Sequence, residues 1–449
     1  MANTKPLAEK KLKKESPLAS TLSNLFSTNA IVLITMVTSI ALNRGLGPEL
    51  KGEYASLRLL FTFYMPLFLL GYPGGILYYS LREKLNIKTF YFTGLVTMFL
   101  TGILAAGIIY FFILFGLFGN ILKDVEPHIL YMALSITPFV FLNAYLERVL
   151  YAFKLFRPSN RRNVIAAIVV LIGSFGLWAI NWLSLTNAVL VLLFSLVLNT
   201  LQNVWFISKL FPFKPVLFKS QIFFPWKYGI QSFLNQIIAK SNDKFDQIFL
   251  GFLVSSSGFG IYTAGVAVAG LASSVPGSYT NVFFTQIATL NAEKGLELYQ
   301  KAMRTTLFLS FFIGLCLAVL AKPLILLLYG NAYLGAASVI LFYLPGLIFQ
   351  ISARLSIKFY AAQGKPLKNA LVYTIALLCS APFYFWLVPK WGLIGAAISS
   401  SIGYFSAFAF SMYQLKREFP FKLTDALLPK KSDIKEFTLQ GRKLMAKLR

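Results

Sequence analysis

Residues Phe233–Leu250 read FLNQIIAKSNDKFDQIFL, an apolar stretch that carries four charges, Lys240, Asp243, Lys244 and Asp246, among Asn235, Gln236, Asn242 and Gln247. Apolar sequence runs on through Gly251 to Val254, so length and hydropathy predict a membrane-spanning helix. Each charge near the centre of such a helix costs roughly 2.5 to 3.5 kcal/mol on insertion scales and is kept where it faces water, a partner or a substrate. At helical spacing Gln236, Lys240, Asp243, Lys244 and Gln247 share one face, and that face cannot look at lipid. Two readings fit. The charges neutralise one another inside a buried bundle, Lys240 pairing with Asp243, or the helix lines a hydrated central cavity.

The rest of the chain has the same solvent. With 57% hydrophobic and 16% aromatic residues in 449, the composition is that of a polytopic membrane protein. The net charge of +26 sits in loops and tails rather than in a basic and aromatic strip on a soluble domain, which argues against a nucleic-acid partner. Cys316 and Cys379 lie inside apolar runs, so neither a metal site nor a disulfide framework is expected, and they read as packing. His128 stands alone beside Pro127. Residues 1–20 are polar and basic, and the apolar run after them is long enough to span and stay, so no cleaved leader is expected.

Twelve apolar spans follow, approximately 22–43, 55–80, 91–118, 128–152, 163–181, 185–208, 228–254, 259–285, 303–321, 336–362, 369–388 and 392–414. If the Lys-rich amino terminus is cytoplasmic, sixteen loop Lys and Arg residues fall on that side, including Arg82, Lys84, Lys154, Arg161, Arg162, Lys214, Lys219 and Arg304, against five opposite, Arg44, Lys51, Lys123, Lys322 and Lys390. The positive-inside rule then places both tails in the cytoplasm. The expected divisions are a basic tail 1–21, a six-helix bundle 22–208, a cytoplasmic linker 209–227, a second six-helix bundle 228–414 and a basic tail 415–449 that lies on anionic lipid. No loop is long enough to hold a catalytic domain.

An internal repeat supports that division. Gly52-Glu53-Tyr54 is echoed by Gly260-Ile261-Tyr262, Leu117-Phe118-Gly119-Asn120 by Leu328-Tyr329-Gly330-Asn331, and Tyr151-Ala152 with Pro158 by Tyr360-Ala361 with Pro366. All three keep an offset near 210 residues. Six spans per repeat give parallel halves, related by an axis along the membrane normal, with a site between them.

Outside the seventh span the intramembrane charges are Arg58, Glu147, Arg148, Arg354 and Lys358, the last two in register with Gln350 at four-residue steps. Together with Lys240, Lys244, Asp243 and Asp246 they make six basic and three acidic groups, a net interior charge of +3. Purely structural pairs would tend to neutrality, so the excess suits an anionic guest such as a phosphate. Arg58 and Lys358 are near enough to their helix ends to snorkel, and Glu147 can pair with Arg148 or a neighbouring helix. Asn24, Asn29, Thr35, Thr38 and Asn43 in span 1, and Ser273, Ser274, Ser278, Thr280 and Asn281 in span 8, read either as contacts to sugar hydroxyls or as glue between helices. Pro66, Pro73-Gly74-Gly75 and Pro276-Gly277 are expected kinks.

Asn43-Arg44-Gly45-Leu46-Gly47-Pro48-Glu49 with Gly52-Glu53-Tyr54, Asp246-Gln247-Ile248-Phe249-Leu250-Gly251 followed by Gly260-Ile261-Tyr262, Pro323-Leu324-Ile325 with Leu328-Tyr329-Gly330, and Val388-Pro389-Lys390-Trp391-Gly392-Leu393-Ile394-Gly395-Ala396-Ala397 together resemble one family. It is the polysaccharide flippase family of the multidrug/oligosaccharidyl-lipid/polysaccharide exporter superfamily, which includes O-antigen and exopolysaccharide repeat-unit flippases. The resemblance implies a non-enzymatic, all-α integral inner-membrane protein that moves an undecaprenyl-pyrophosphate-linked oligosaccharide from the cytoplasmic to the outer leaflet by alternating access. It implies no cofactor, a pyrophosphate met by cavity cations among Lys240, Lys244, Arg354, Arg58, Arg148 and Lys358, and a polysaccharide polymerase and glycosyltransferases as partners. Asp246 stands where the family often has an acidic residue, while Gln247 stands where a basic one often follows. Asp243, Asp246 and Glu147 are candidates for coupling to H+ or Na+. The rivals are a multidrug antiporter of the same architecture, which a net positive interior disfavours, and a membrane glycan polymerase, which the short outer loops disfavour.

Overall fold

The computed structural model describes residues 17–82, 87–118, 121–210, 222–274, 292–363 and 365–428, with Pro276, Gly277, Thr280, Phe283, Ile287 and Lys430 besides. Outside them lie most of the amino-terminal tail, Lys84, Gly119 and Asn120 of the repeat, the greater part of the linker with Lys214 and Lys219, Ser278, Asn281, and the tail from 431; the side chains of Asn24, Asn235 and Gln236 are not described either. Among the described residues every regular element is helical. In hydrocarbon an open strand edge would leave its backbone groups without partners, whereas a helix satisfies them within itself. Among the described residues eight helices are long and apolar enough to cross a membrane: Phe26–Leu67, Tyr91–Leu114, Pro127–Ala152, Phe156–Ala179, Leu185–Leu210, Glu293–Leu328, Gly335–Ala362 and Lys368–Glu418.

The chain forms two compact units, residues 1–261 and 262–449. The first begins with α1 (Pro17–Leu59), which runs through the expected loop between spans 1 and 2 and is broken at Gly47 by a φ of 72° just before Pro48. A π-turn at Leu60–Tyr64 and a helical turn at Met65–Leu67 follow, then a reversal in which Leu70 and Gly71 both take positive φ, 46° and 74°. Helices α2 (Tyr72–Arg82), α3 (Ile87–Leu114), α4 (Pro127–Ser135), α5 (Thr137–Ala152), α6 (Phe156–Ala179), α7 (Leu185–Leu210) and α8 (Phe224–Leu253) complete its frame. Within it α1 packs on α6, α3 on α5, α6 on α7 and α2 on α8. Its core holds Tyr54, Tyr72, Phe141 and Tyr145. The outward faces are apolar too: Leu104 is 64% exposed and Ile172 65%, the pattern of helices that meet lipid rather than water.

The boundary between the units falls within α9 (Ser256–Ala269). The second unit continues with α10 (Ala292–Leu328), α11 (Gly335–Ala362) and α12 (Pro366–Glu418). The last covers both expected spans 11 and 12 and is broken between them at Gly392, φ 53°. The carboxy-terminal tail starts differently from the lipid-lying segment expected of it. A short helix, α13 (Leu423–Leu427), packs on α10, Ala426 is fully buried, and Arg304 donates to the Asp425 carbonyl. The Lys430 ammonium beside Asp425 holds its carboxyl below the usual carboxylate range.

The α2–α8 contact depends on glycine. A Cβ on Gly75 would run into the Pro225 carbonyl, and one on Gly229 would meet the Gly71 carbonyl oxygen at 2.6 Å. Such small-residue contacts let membrane helices approach closely without a hydrophobic driving force between them. Gly75→Leu is therefore expected to destabilise the protein by about 1–3 kcal/mol through overpacking, read as a lower temperature of aggregation on size-exclusion chromatography after heating. Gly107→Leu, at a position where a Cβ meets nothing within 4 Å, is expected to leave it unchanged.

Candidate functional site

The charge-bearing stretch folds as the 30-residue α8, with Pro225 in its first turn. Its faces divide as the spacing predicts. Lys240 and Asp243 are exposed and Lys244 and Gln247 half-buried, whereas Asp246, which falls off that face, is 2% exposed. Asp246 Oδ1 accepts the Gln247 backbone N–H at 2.8 Å, and Lys244 Nζ donates to Gln247 Oε1 at 3.1 Å.

A cavity of about 640 Å³ opens within the first unit, against the exposed end of this face. One wall is the broken segment and α2, with Pro66, Gly71, Pro73, Gly74 and Tyr78; a second is α5, with Val140, Ala144, Glu147 and Arg148; the third is α8, with Tyr228, Phe233, Ile237 and Lys240. The break at Leu70–Gly71 turns the chain so that α2 lies against α8, and the glycine contacts draw the two together. Tyr78 stacks on Tyr228, 3.6 Å between centroids at 9°. Lys240 and Arg148 are close enough for each to feel the other's charge. The Arg148 guanidinium lies 5.5 Å from the Tyr151 ring centroid, and Glu147 Oε1 accepts from Tyr151 Oη at 3.0 Å and from Asn163 Nδ2 at 3.4 Å.

Of the residues expected to form a cationic cavity, the structure thus brings Lys240 and Arg148 to one cavity, together with Glu147, a candidate for ion coupling. Lys244 is not on the cavity wall; it binds Gln247 and lies within electrostatic reach of Asp246, Arg58 and Asp243. Arg58 is exposed on α1. Arg354 and Lys358 belong to the second unit, half-buried one turn apart on α11, with Gln350 buried a turn earlier. The polar residues of spans 1 and 8 largely bond to their own helices: Thr38 to the Ile34 carbonyl at 2.8 Å, Asn43 to Ser39 at 2.6 Å, Ser273 to Gly270 at 2.7 Å and Thr280 to Gly277 at 2.7 Å. These bonds satisfy the side chains within the helix that makes them. The sequence reading passed over Tyr78 and Tyr228, and also Asn163, Asn199 and Asn203 of α6 and α7. Asn199 and Asn203, four apart in an otherwise apolar helix, were the available signal.

The chemistry on offer is recognition of a charged guest with an apolar portion. Among the described residues no group of three or more His, Cys, Asp or Glu is placed to hold a metal, and the two lysine and arginine side chains offer up to eight N–H donors to an anion.

Comparison with known proteins places this geometry. The fold is shared with solved structures of a lipid II flippase and of multidrug transporters. The chain superposes on the lipid II flippase MurJ in its inward closed conformation with a TM-score of 0.75 and 18% identity over 91% of this chain and 89% of that one. It superposes on an inward-facing MATE multidrug transporter of the same superfamily with a TM-score of 0.67 and 14% identity over 86% and 95%. Residues 158–338 match the family described as polysaccharide biosynthesis protein. A stretch of 175 residues is 33% identical to the capsular polysaccharide biosynthesis protein CapF of Staphylococcus aureus, spanning 36% of this chain and 43% of that relative, less than half its length. The matched stretch of the family model and the capsular relative both belong to polysaccharide biosynthesis, the class to which the motifs point.

In a background with Cys316 and Cys379 replaced by alanine, Lys240→Cys and Arg148→Cys are expected to react with a water-soluble charged thiol reagent in the purified protein. Asn242→Cys, at a position 6% exposed, is expected to stay unmodified. Intact-mass spectrometry reads all three.

Proposed function

We propose that the protein is a flippase that carries a lipid-pyrophosphate-linked oligosaccharide repeat unit from the cytoplasmic to the outer leaflet during synthesis of a cell-surface polysaccharide. The observation that carries this reading is the cavity with Arg148 and Lys240 on facing helices inside a unit whose outer surface is apolar. A pyrophosphate suits two such cations, arginine as a planar fork and lysine as a point charge. About 640 Å³ is within the ordinary range of ligand pockets, and the tyrosines offer flat faces to a sugar. The family match and the capsular relative favour the same substrate class.

In the fuller form of the proposal, twelve spans form two six-helix bundles, 22–208 and 228–414, joined by the linker 209–227 and flanked by cytoplasmic tails, in the cell inner membrane. Arg58, Lys244, Arg354 and Lys358 extend the cationic path, the two bundles alternate access to it, and Asp243, exposed on the charged face, exchanges the coupling H+ or Na+. The lipid is of the undecaprenyl type, and a polymerase and glycosyltransferases act before and after. There is no covalent step. The antiporter reading is the weaker one, since an organic cation would meet Arg148 and Lys240 first.

The test is translocation of a labelled lipid-pyrophosphate oligosaccharide across proteoliposome leaflets. Charge-assisted contacts are worth roughly 1.5–3 kcal/mol each, so Arg148→Ala and Lys240→Ala are each expected to slow transport about tenfold or more at subsaturating substrate while the protein stays monodisperse. Wild-type rates in both variants would remove the cavity from the path, and efflux of an organic cation without glycolipid movement would favour the antiporter.

A further inference from the structure

Among the described residues Glu147 is the one carboxylate lining the cavity that Arg148 and Lys240 also line, and it is gripped from behind. A row of side-chain hydrogen bonds reaches it from Arg162, a residue whose neighbours assigned it to a cytoplasmic loop but which is 8% exposed in α6. Arg162 Nε donates to Asn203 Oδ1 at 2.6 Å, Asn203 Nδ2 to Asn199 Oδ1 at 3.0 Å, Asn199 Nδ2 to Asn163 Oδ1 at 3.2 Å, and Asn163 Nδ2 to Glu147 Oε1 at 3.4 Å. Every amide accepts at its oxygen and donates from its nitrogen in the same direction. The two ends dictate that direction: a guanidinium only donates and a carboxylate only accepts. No amide in the row can be turned round without setting donor against donor and acceptor against acceptor.

The row crosses α7, α6 and α5 and is anchored at the side. Asn203 Nδ2 is also 3.4 Å from Asn143 Oδ1, whose own Nδ2 holds the Leu196 carbonyl at 3.0 Å. The Arg162 guanidinium lies 4.3 Å from the Phe206 ring centroid, and its Nη2 has no hydrogen-bond partner among the described residues. Aligned hydrogen bonds in a dry interior strengthen one another. Asn163 and Tyr151 both bind Oε1, and so fix the rotamer of the whole side chain.

We propose that Asn163, Asn199 and Asn203, with Arg162, are positioning residues that hold Glu147 against α6. Released, the carboxylate would swing towards Arg148 and Lys240 and compete, as a tethered anion of high effective concentration, with a phosphate guest. Held back, it leaves those cations to the guest. This rests on reading the cavity as an anion site.

The experiment is calorimetric titration of inorganic pyrophosphate into purified full-length protein in detergent. Asn199→Ala is expected to weaken binding about tenfold. In Glu147→Gln the competitor is neutral, so adding Asn199→Ala there is expected to change affinity less than twofold. An equal loss in both backgrounds would mark the row as structural scaffolding, and no loss in either would leave Glu147 unheld; both overturn the inference while leaving the anion site standing. Absence of pyrophosphate binding by the wild type overturns the anion site and the inference with it. Should Asn199→Ala not extract as a monodisperse protein, Asn163→Ser removes the last donor to Glu147 under the same expectations.

Discussion

Within hydrocarbon no water is at hand to take an unmatched donor or acceptor, and a polar group without a partner costs several kcal/mol. That constraint explains more of this molecule than any single contact. It makes the described backbone helical, and it turns hydroxyls back on their own helices, as when Thr97 donates to the Thr93 carbonyl at 2.7 Å and Ser399 to Gly395 at 2.8 Å. Where a side chain is too polar to be satisfied so locally, a chain of partners is needed. Glu147 and Arg162 lie on neighbouring helices, and three asparagines bridge them, each contributing one donor and one acceptor.

The second constraint is steric. Helices that share their solvent with lipid gain little by hiding apolar surface, so what holds them is closeness. Gly71, Gly75 and Gly229 supply it, and the positive φ of Gly71 also turns the chain into α2. The consequence is chemical. Because α2 and α8 touch at backbone level, Tyr78 reaches Tyr228, and Lys240 comes to the cavity that Arg148 lines from α5.

Much of this was legible in the sequence and some was not, for definite reasons. The polar face of α8 was, because a period of 3.6 residues sorts Lys240 and Asp243 from Asp246 without knowledge of any neighbour. The difference between Lys240 and Lys244 was not: they stand about 40° apart round the helix, and only the placement of α2 and α5 decides which one meets the cavity. The breaks at Gly47 and Gly392 fall where loops were expected, but glycine permits either a loop or a kink in a continuous helix, and sequence alone does not choose. Arg162 was misplaced because Arg161 and Arg157 beside it read as a loop; the helix starts at Phe156, about two turns before the expected span, and carries it inside. The asparagine row depends on which helices adjoin, and periodicity does not encode that.

A carboxylate in the proposed anion site needs a reason, and the electrostatics of the cavity offer one. Two cations facing each other in a low-dielectric pocket repel, and with no guest and no counter-charge they cost desolvation without return. A fixed carboxylate nearby offsets part of that cost, but its benefit and its harm scale differently with distance. At an effective dielectric constant of 20, unit charges attract by roughly 4 kcal/mol at 4 Å and about 2 kcal/mol at 8 Å. The farther position retains half of the stabilisation of the empty cavity, while lowering the cost of displacing the carboxylate by about 2 kcal/mol, near thirtyfold in guest affinity. A flexible glutamate would settle at the nearer position. One whose Oε1 is held by Tyr151 and Asn163, with Asn199, Asn203 and Arg162 behind them, is restrained from moving nearer, and a site proposed to bind an anion and then let it go would gain from that restraint in both directions.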